Sequence, residues 1–169
     1  GNTTYQYGTS PFYASLWDAG GVDTLDLSAT TASNTVDLVP GHYSSINTRS
    51  VSTQAQEQKQ TFASQGKTGF DSFIDNAYNQ QSSSIYTGTK NLGIAYGTAI
   101  ENLVGGSAAD TVYDNKVDND IKTGAGNDTI VLGAGGYDTI DGGAGTDTIS
   151  LALTKSQVTY EAGSNGLIR

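Results

Sequence analysis

The sequence predicts an all-β fold: a parallel β-roll, or β-solenoid, with β-sandwich-like strands before it and a polar, partly helical insertion. Three observations lead there. A nine-residue phrase with Asp at its sixth place recurs between Gly105 and Ser150, short apolar–polar alternations fill residues 1–46, and Gln, Ser and Thr dominate residues 47–90. Phrases of the form G-G-x-G-x-D-x-U-x turn over six residues and run straight over three, so two of them close one coil of about 18 residues.

Tyr5 and Tyr7, Leu25 and Leu27, and Val36 and Leu38 alternate with polar residues, as half-buried strands do. Asp18-Ala19-Gly20-Gly21-Val22-Asp23 is a Gly-rich turn between two of these segments, and Pro40-Gly41 is a second break. In the insertion, Phe70, Phe73, Ile74, Ala77 and Tyr78 fall on one face of a short helix, which is expected to dock on the sheet. Gln54 to Gln60 suits a helix but has no apolar face. A polar stretch of this length inside a compact domain is usually functional or disordered.

Residues 91–150 hold the repeats, with Ile94 to Leu103 leading into them. Gly105–Tyr113, Thr123–Val131 and Gly142–Ser150 are close copies; Asp114–Lys122 and Leu132–Asp141 are looser, the second with one extra residue. Val112, Ile121, Ile130, Ile140 and Ile149 occupy the apolar place and are expected to point inward. Residues 151–169 read as a C-terminal strand and tail. The whole of 1–169 reads as one domain, a monomeric module of a larger exported chain.

Apolar residues make up 36% of the 169, low for a globular protein, and 22 are Gly, so the core is thin. Net charge is −9, and Asp supplies all but three of the 17 acids. Acid packed this densely repels itself without a counter-cation and excludes the basic face that nucleic-acid binding needs. With no Cys there is no disulfide and no thiolate site. No apolar run approaches the ~20 residues of a membrane span, so no membrane insertion is expected.

The repeat itself supplies the cation's ligands. Calcium takes six or more oxygens at ~2.3–2.6 Å from carboxylates and carbonyls. Stacked turns would offer carbonyls of Gly106, Ala108, Gly124, Gly126, Gly133, Gly135, Gly143 and Gly145. Asp110, Asp128 and Asp147 would stack along one edge, Asn119 and Asp138 along the other. Magnesium wants a smaller octahedral shell, zinc lacks ligands, and no turn matches a phosphate-binding loop.

Trp17 to Ser28 (WDAGGVDTLDLS) and Asn91 to Gly106 (NLGIAYGTAIENLVGG) resemble the serralysin C-terminal domain of RTX proteins. The resemblance covers about residues 3–46 and 91–150. It implies a further calcium held by Asp18 and Asp23 with carbonyls at Gly20 and around Gly8. The chain departs from the protease in two ways. Its single His42 is followed by Tyr43 and Ser44, so the H-E-x-x-H zinc helix is missing and no enzyme activity is expected. The 47–90 stretch is also longer than the family's. Both fit the calcium-dependent peptide-binding domain of large RTX adhesins better.

The expected function is therefore non-enzymatic, calcium-dependent binding of a peptide or protein on another cell or surface, by a secreted or surface-borne bacterial adhesin. The alternatives are a calcium-driven folding and secretion domain of an exported RTX protein, and a sugar-binding module. Tyr43, Tyr78, Tyr86, Tyr96 and Tyr113 are candidate aromatic walls. Lys90 and Lys116 could pair a ligand carboxylate. Asp114 and Asp118 belong to the irregular phrase, whose ion would be the least enclosed.

Overall fold

The computed structural model describes residues 1–152; most of the C-terminal strand and tail expected at 151–169 lies outside the described residues. Five parallel strands form one sheet, in the order β1 (Thr4–Gln6), β3 (Thr24–Asp26), β7 (Asn102–Val104), β9 (Asp120–Lys122) and β11 (Thr139–Asp141). Four more form a second parallel sheet: β4 (Thr35–Asp37), β8 (Thr111–Tyr113), β10 (Thr129–Leu132) and β12 (Thr148–Leu151). A third sheet places β6 (Leu92–Ile94) between β2 (Ala14–Leu16), parallel to it, and β5 (Tyr43–Ser44), antiparallel. Two helices, α1 (Val51–Ser64) and α2 (Asp71–Gln80), join β5 to β6.

The expected all-β parallel β-roll is overturned by this arrangement. Short parallel strands combine with two helices in an α/β-type architecture. The helices form for a local reason. Ser50 caps α1 by accepting the Thr53 N–H, and the run of Gln, Glu, Lys and Ala that follows favours helix even without an apolar face. Nor do the N-terminal strands make a sandwich of their own. Leu25 pairs with Leu103 and Val36 with Val112, so β3 and β4 extend the two repeat-bearing sheets.

Register explains why nine-residue phrases suit this arrangement. Ile121 pairs with Leu103 on one side and Ile140 on the other; Ile130 pairs with Val112 and Ile149. Successive phrases thus alternate between the two sheets. Leu25, Leu103 and Ile121 from one sheet, with Val36, Val112 and Ile130 from the other, are buried in a single core. Ile140 is only half-buried and Ile149 is 53% exposed, because no described strand stacks beyond β11 or β12. Of the five expected rungs, the inward ladder is therefore fully buried only as far as Ile130, two short.

The apolar stripe of α2 does not dock on a sheet. It packs on α1: Ile74 is buried, the Phe70 ring meets Phe62 edge-on at 5.6 Å, and Lys59 pairs with Asp75 at 2.7 Å. Phe73 is left exposed. The helix pair stands off the sheets and is tied at its base. Ile46 N–H donates to Asn91 Oδ1 (2.8 Å), and Asn91 Nδ2 donates back to the Ile46 carbonyl (3.0 Å). The Tyr86 hydroxyl donates to the Phe12 carbonyl (2.8 Å) and accepts from Phe12 N–H and Asn91 Nδ2. Tyr86→Phe removes the partner of the Phe12 N–H and carbonyl, while Asn91 Nδ2 keeps the Ile46 carbonyl, and is expected to cost about 1–3 kcal/mol. Urea denaturation measures it; an unchanged midpoint would show that the base is held by other contacts.

Candidate functional site

Along one edge of the stacked coils, each sixth-position side chain caps the backbone one coil below. Asn34 N–H donates to Asp110 Oδ1 (2.7 Å), Asp110 N–H to Asp128 Oδ1 (2.8 Å), and Asp128 N–H to Asp147 Oδ1 (3.0 Å). On the other edge Thr3 N–H donates to Asp23 Oδ1 (2.8 Å), Asp23 N–H to Glu101 Oε2 (2.7 Å), and Asn119 N–H to Asp138 Oδ1 (3.0 Å). The structure thus brings the expected Asp110, Asp128 and Asp147 together, and likewise Asn119 and Asp138. Asn34 and Glu101 join them unforeseen. Each immediately precedes a strand that opens polar–apolar, as Asp23 does before Thr24-Leu25, and that pattern was available in Asn34-Thr35-Val36 and Glu101-Asn102-Leu103.

The glycines of the turns are required by the stacking. Gly143 and Gly145 have φ of 76° and 140°, and a Cβ on either would run into the carbonyl of Gly124 or Gly126 in the turn below. Gly124 and Gly126 stand in the same relation to the carbonyls of Gly106 and Ala108. Four carbonyls thereby face the turn above; those of Gly106 and Gly124 accept the Ala125 and Ala144 N–H groups at 3.0 and 2.9 Å. The other edge differs. The extra residue passes the close approach to Gly136, which faces the Val117 carbonyl, while Gly135 faces open space. Gly133 instead donates its N–H to Asp114 (2.9 Å).

Electrostatically the Asp110–Asp128 stack is short of positive charge. Asp110 is 3% exposed and Asp128 1%, and Asp128 Oδ2 is buried with no hydrogen-bond partner. Burial pushes the Asp110 carboxyl above its ordinary value; hydrogen bonds from Asn34 and Gly106 oppose this, and the Asp128 charge adds to it. Burial also raises Asp138, with the charges of Asp114 and Asp118 behind it. Among the described residues no Lys, Arg or His pairs with Asp110, Asp128, Asp138 or Asp147. A buried uncompensated carboxylate costs several kcal/mol. No three acidic, His or Cys side chains converge among the described residues, so a cation here would take carbonyls as well as carboxylates. Hard oxygen-seeking cations accept that mixture.

The first turn is more self-sufficient. Asp18 accepts from Gly20 N–H (2.9 Å), Tyr5 OH (2.9 Å) and Thr3 Oγ1 (3.1 Å), and these donors hold its carboxyl below its usual range. Asp23 is buried beside it, both carboxylates sharing Thr3 as a donor residue. The Gly20 carbonyl accepts from the Gly1 amino group (2.8 Å).

The expected ligand-binding residues are not gathered in one place. Val39, Pro40, Ala99, Asn115, Lys116, Val117 and Ala134 line a mostly apolar groove of about 300 Å³ beside the irregular phrase; of the candidates, Lys116 alone lines it. Asp114 is buried and held by the N–H groups of Gly133 and Ala134, and Asp118 is exposed and accepts the Tyr137 N–H (2.8 Å). Tyr86 belongs to the base of the helix pair, as does Lys90, whose N–H donates to Ser45 Oγ. Tyr78 and Tyr86 together line a separate hollow with Gln54 and Gln81, the one place where two of the candidates meet among the described residues. Tyr113 is half-exposed on β8, and Tyr43 and Tyr96 belong to the third sheet and its flank. No family model matches the chain, and no curated protein matches it.

Proposed function

We propose that this chain is a non-enzymatic, calcium-stiffened module that binds a peptide or protein segment and serves attachment outside a bacterial cell. The observation that carries the reading is the buried Asp110–Asp128 stack with its unpartnered Oδ2. Calcium would take carboxylate oxygens from Asp110 and Asp128 and carbonyls from Gly106, Ala108, Gly124 and Gly126, neutralising the stack and clamping neighbouring turns. The motif resemblance to RTX serralysin C-terminal domains supports the same ion, and export from the cell with it.

The groove beside Lys116 supports the binding half of the proposal. Its apolar walls suit a side chain, and the Lys116 ammonium suits a carboxylate on the same ligand. The buried stack also favours a second reading, a folding and secretion domain with no ligand of its own, because that role needs the ions but not the groove. A random peptide array probed with the purified protein in calcium chloride and in EGTA separates the two. Calcium-dependent peptide binding that weakens in Lys116→Ala is the expected result. Absence of any such signal would leave only the folding role.

A further inference from the structure

We propose that the groove beside Lys116 admits a ligand's side chain and not its main chain: one apolar residue flanked by a carboxylate, with Asn115 as the positioning residue that sets the groove's width. This rests on the peptide-binding reading above and gives it a ligand class. Asn115 is buried and reaches three walls of the groove at once. Its Nδ2 donates to the carbonyl of Leu38 (3.3 Å), the residue before Val39 and Pro40, and to that of Ile100 (2.9 Å), the residue after Ala99. Its Oδ1 accepts the Val117 N–H (3.0 Å). The preceding residue, Asp114, holds the fourth wall by accepting the Ala134 N–H (3.2 Å).

The amide of Asn115 is thus spent on the walls, and the main chain around the groove is committed in the same way. Val39 N–H donates to Asp37 Oδ1, and the Val39 carbonyl accepts the His42 N–H. Pro40 has no N–H to offer, and those of Val117 and Ala134 are held by Asn115 and Asp114. None of the lining residues belongs to a strand, so no sheet edge runs along the groove for a peptide strand to join. What remains is the apolar surface of Val39, Pro40, Ala99, Val117 and Ala134 around about 300 Å³. That volume lies at the small end for ligand sites and suits one large apolar side chain.

Lys116 is the one charged side chain in the lining, and among the described residues it has no ion-pair partner. Its acidic neighbours do not line the groove: Asp114 is turned to the Gly133 and Ala134 N–H groups, and Asp118 accepts the Tyr137 N–H. A carboxylate beside the ligand's apolar residue therefore meets an unshared ammonium at the rim. The walls come from three separate connections, after β4, before β7 and between β8 and β9. Asn115, and no strand ladder, fixes their spacing. Without its amide the walls part, and dispersion contact with a bound side chain falls off steeply with the gap.

The test titrates the full chain, in calcium chloride, with acetyl-Gly-Gly-Xaa-Glu-Gly-Gly-amide, Xaa being Leu or Ala, and follows the Val117 and Ala134 amide resonances. The Leu peptide is expected to bind about tenfold tighter than the Ala peptide. Exchanging its Glu for Gln should weaken it about threefold in the wild type and not in Lys116→Ala. An ester in place of the Leu N–H should change nothing. Acetyl-Gly-Gly-Leu with a free terminal carboxylate tells a chain end from an acidic side chain as the source of the charge. In Asn115→Ala the Leu-over-Ala ratio is expected to fall to about twofold or less. A general loss of folded protein would weaken both peptides by one factor and leave that ratio intact. Should this variant fail to fold by circular dichroism, Ala99→Leu, which fills the groove from a half-buried wall, is expected to abolish the preference. Equal binding of the two peptides by the wild type, loss of binding on ester exchange, or a Leu preference kept in either variant overturns the proposal. Calcium-dependent signal on the random array without that preference defeats this inference alone, and a silent array defeats the reading beneath it as well.

Discussion

In excess EGTA the full chain is expected to lose most of its sheet circular dichroism and its cooperative thermal transition, and to regain both when calcium chloride is added. At a Kd of ~10⁻⁴–10⁻³ M for extracellular calcium modules, 10 mM calcium would contribute roughly 1.4–2.7 kcal/mol per site. Two sites flanking Asp128 would together contribute about 3–5 kcal/mol, a large part of the 5–15 kcal/mol typical of whole domains. Without the ion, buried Asp110 and Asp128 oppose the fold, and the apolar ladder of Leu25, Leu103 and Ile121 against Val36, Val112 and Ile130 is thin compensation. Identical melting curves in EGTA and in calcium would remove the ion from the account.

Acidity gives the same prediction a sign. Asp110 and Asp138 have folded-state pKa values above the ordinary carboxyl value of 3.8. A group raised in this way contributes stability below its unfolded pKa and loses it as pH rises through the folded one. In EGTA, lowering the pH from neutral toward that range is therefore expected to restore sheet signal. In calcium the same change should destabilise, because protons compete for the carboxylates that hold the ion. Circular dichroism against pH in the two buffers reads both slopes, and parallel slopes would contradict the assignment.

The repeats were legible because a turn that must stack on a copy of itself restricts its sequence. Gly143 and Gly145 are needed where carbonyls press from below, and Asp110 and Asp128 where a backbone N–H must be capped. The helices were harder to place. α1 has no apolar stripe to announce it, and α2 spends its own on α1, a choice that periodicity does not reveal. Asn34 and Glu101 escaped because the phrase before Asn34 has no glycine and the one before Glu101 keeps only Gly97, leaving the sixth-place residue and the strand as the signal. The ligand candidates scattered because tyrosine spacing does not distinguish Tyr86, whose hydroxyl is fully engaged, from Tyr96, whose ring faces solvent.

Asp128→Ala is expected to be the most damaging single substitution at the Asp stack, and its partner Asp128→Asn says why. Asp128 lies between Asp110 and Asp147, its Oδ1 capping the Asp110 N–H while Oδ2 has no partner. If capping were the whole role, Asn would supply the same acceptor and restore stability. If the free oxygen holds a cation shared with Asp110, Asn fails nearly as badly as Ala. Losing one partner of a buried charge pair costs about 3–5 kcal/mol, so both variants are expected to melt roughly 6–20 °C lower in calcium. Asp147→Ala, at the less buried end of the stack, should cost less. In EGTA, where the transition is lost, the Asn variant is expected to keep at least as much residual sheet signal as wild type, since Asn removes a charge that opposes Asp110. An Asn variant that melts like wild type in calcium would reduce Asp128 to a backbone cap.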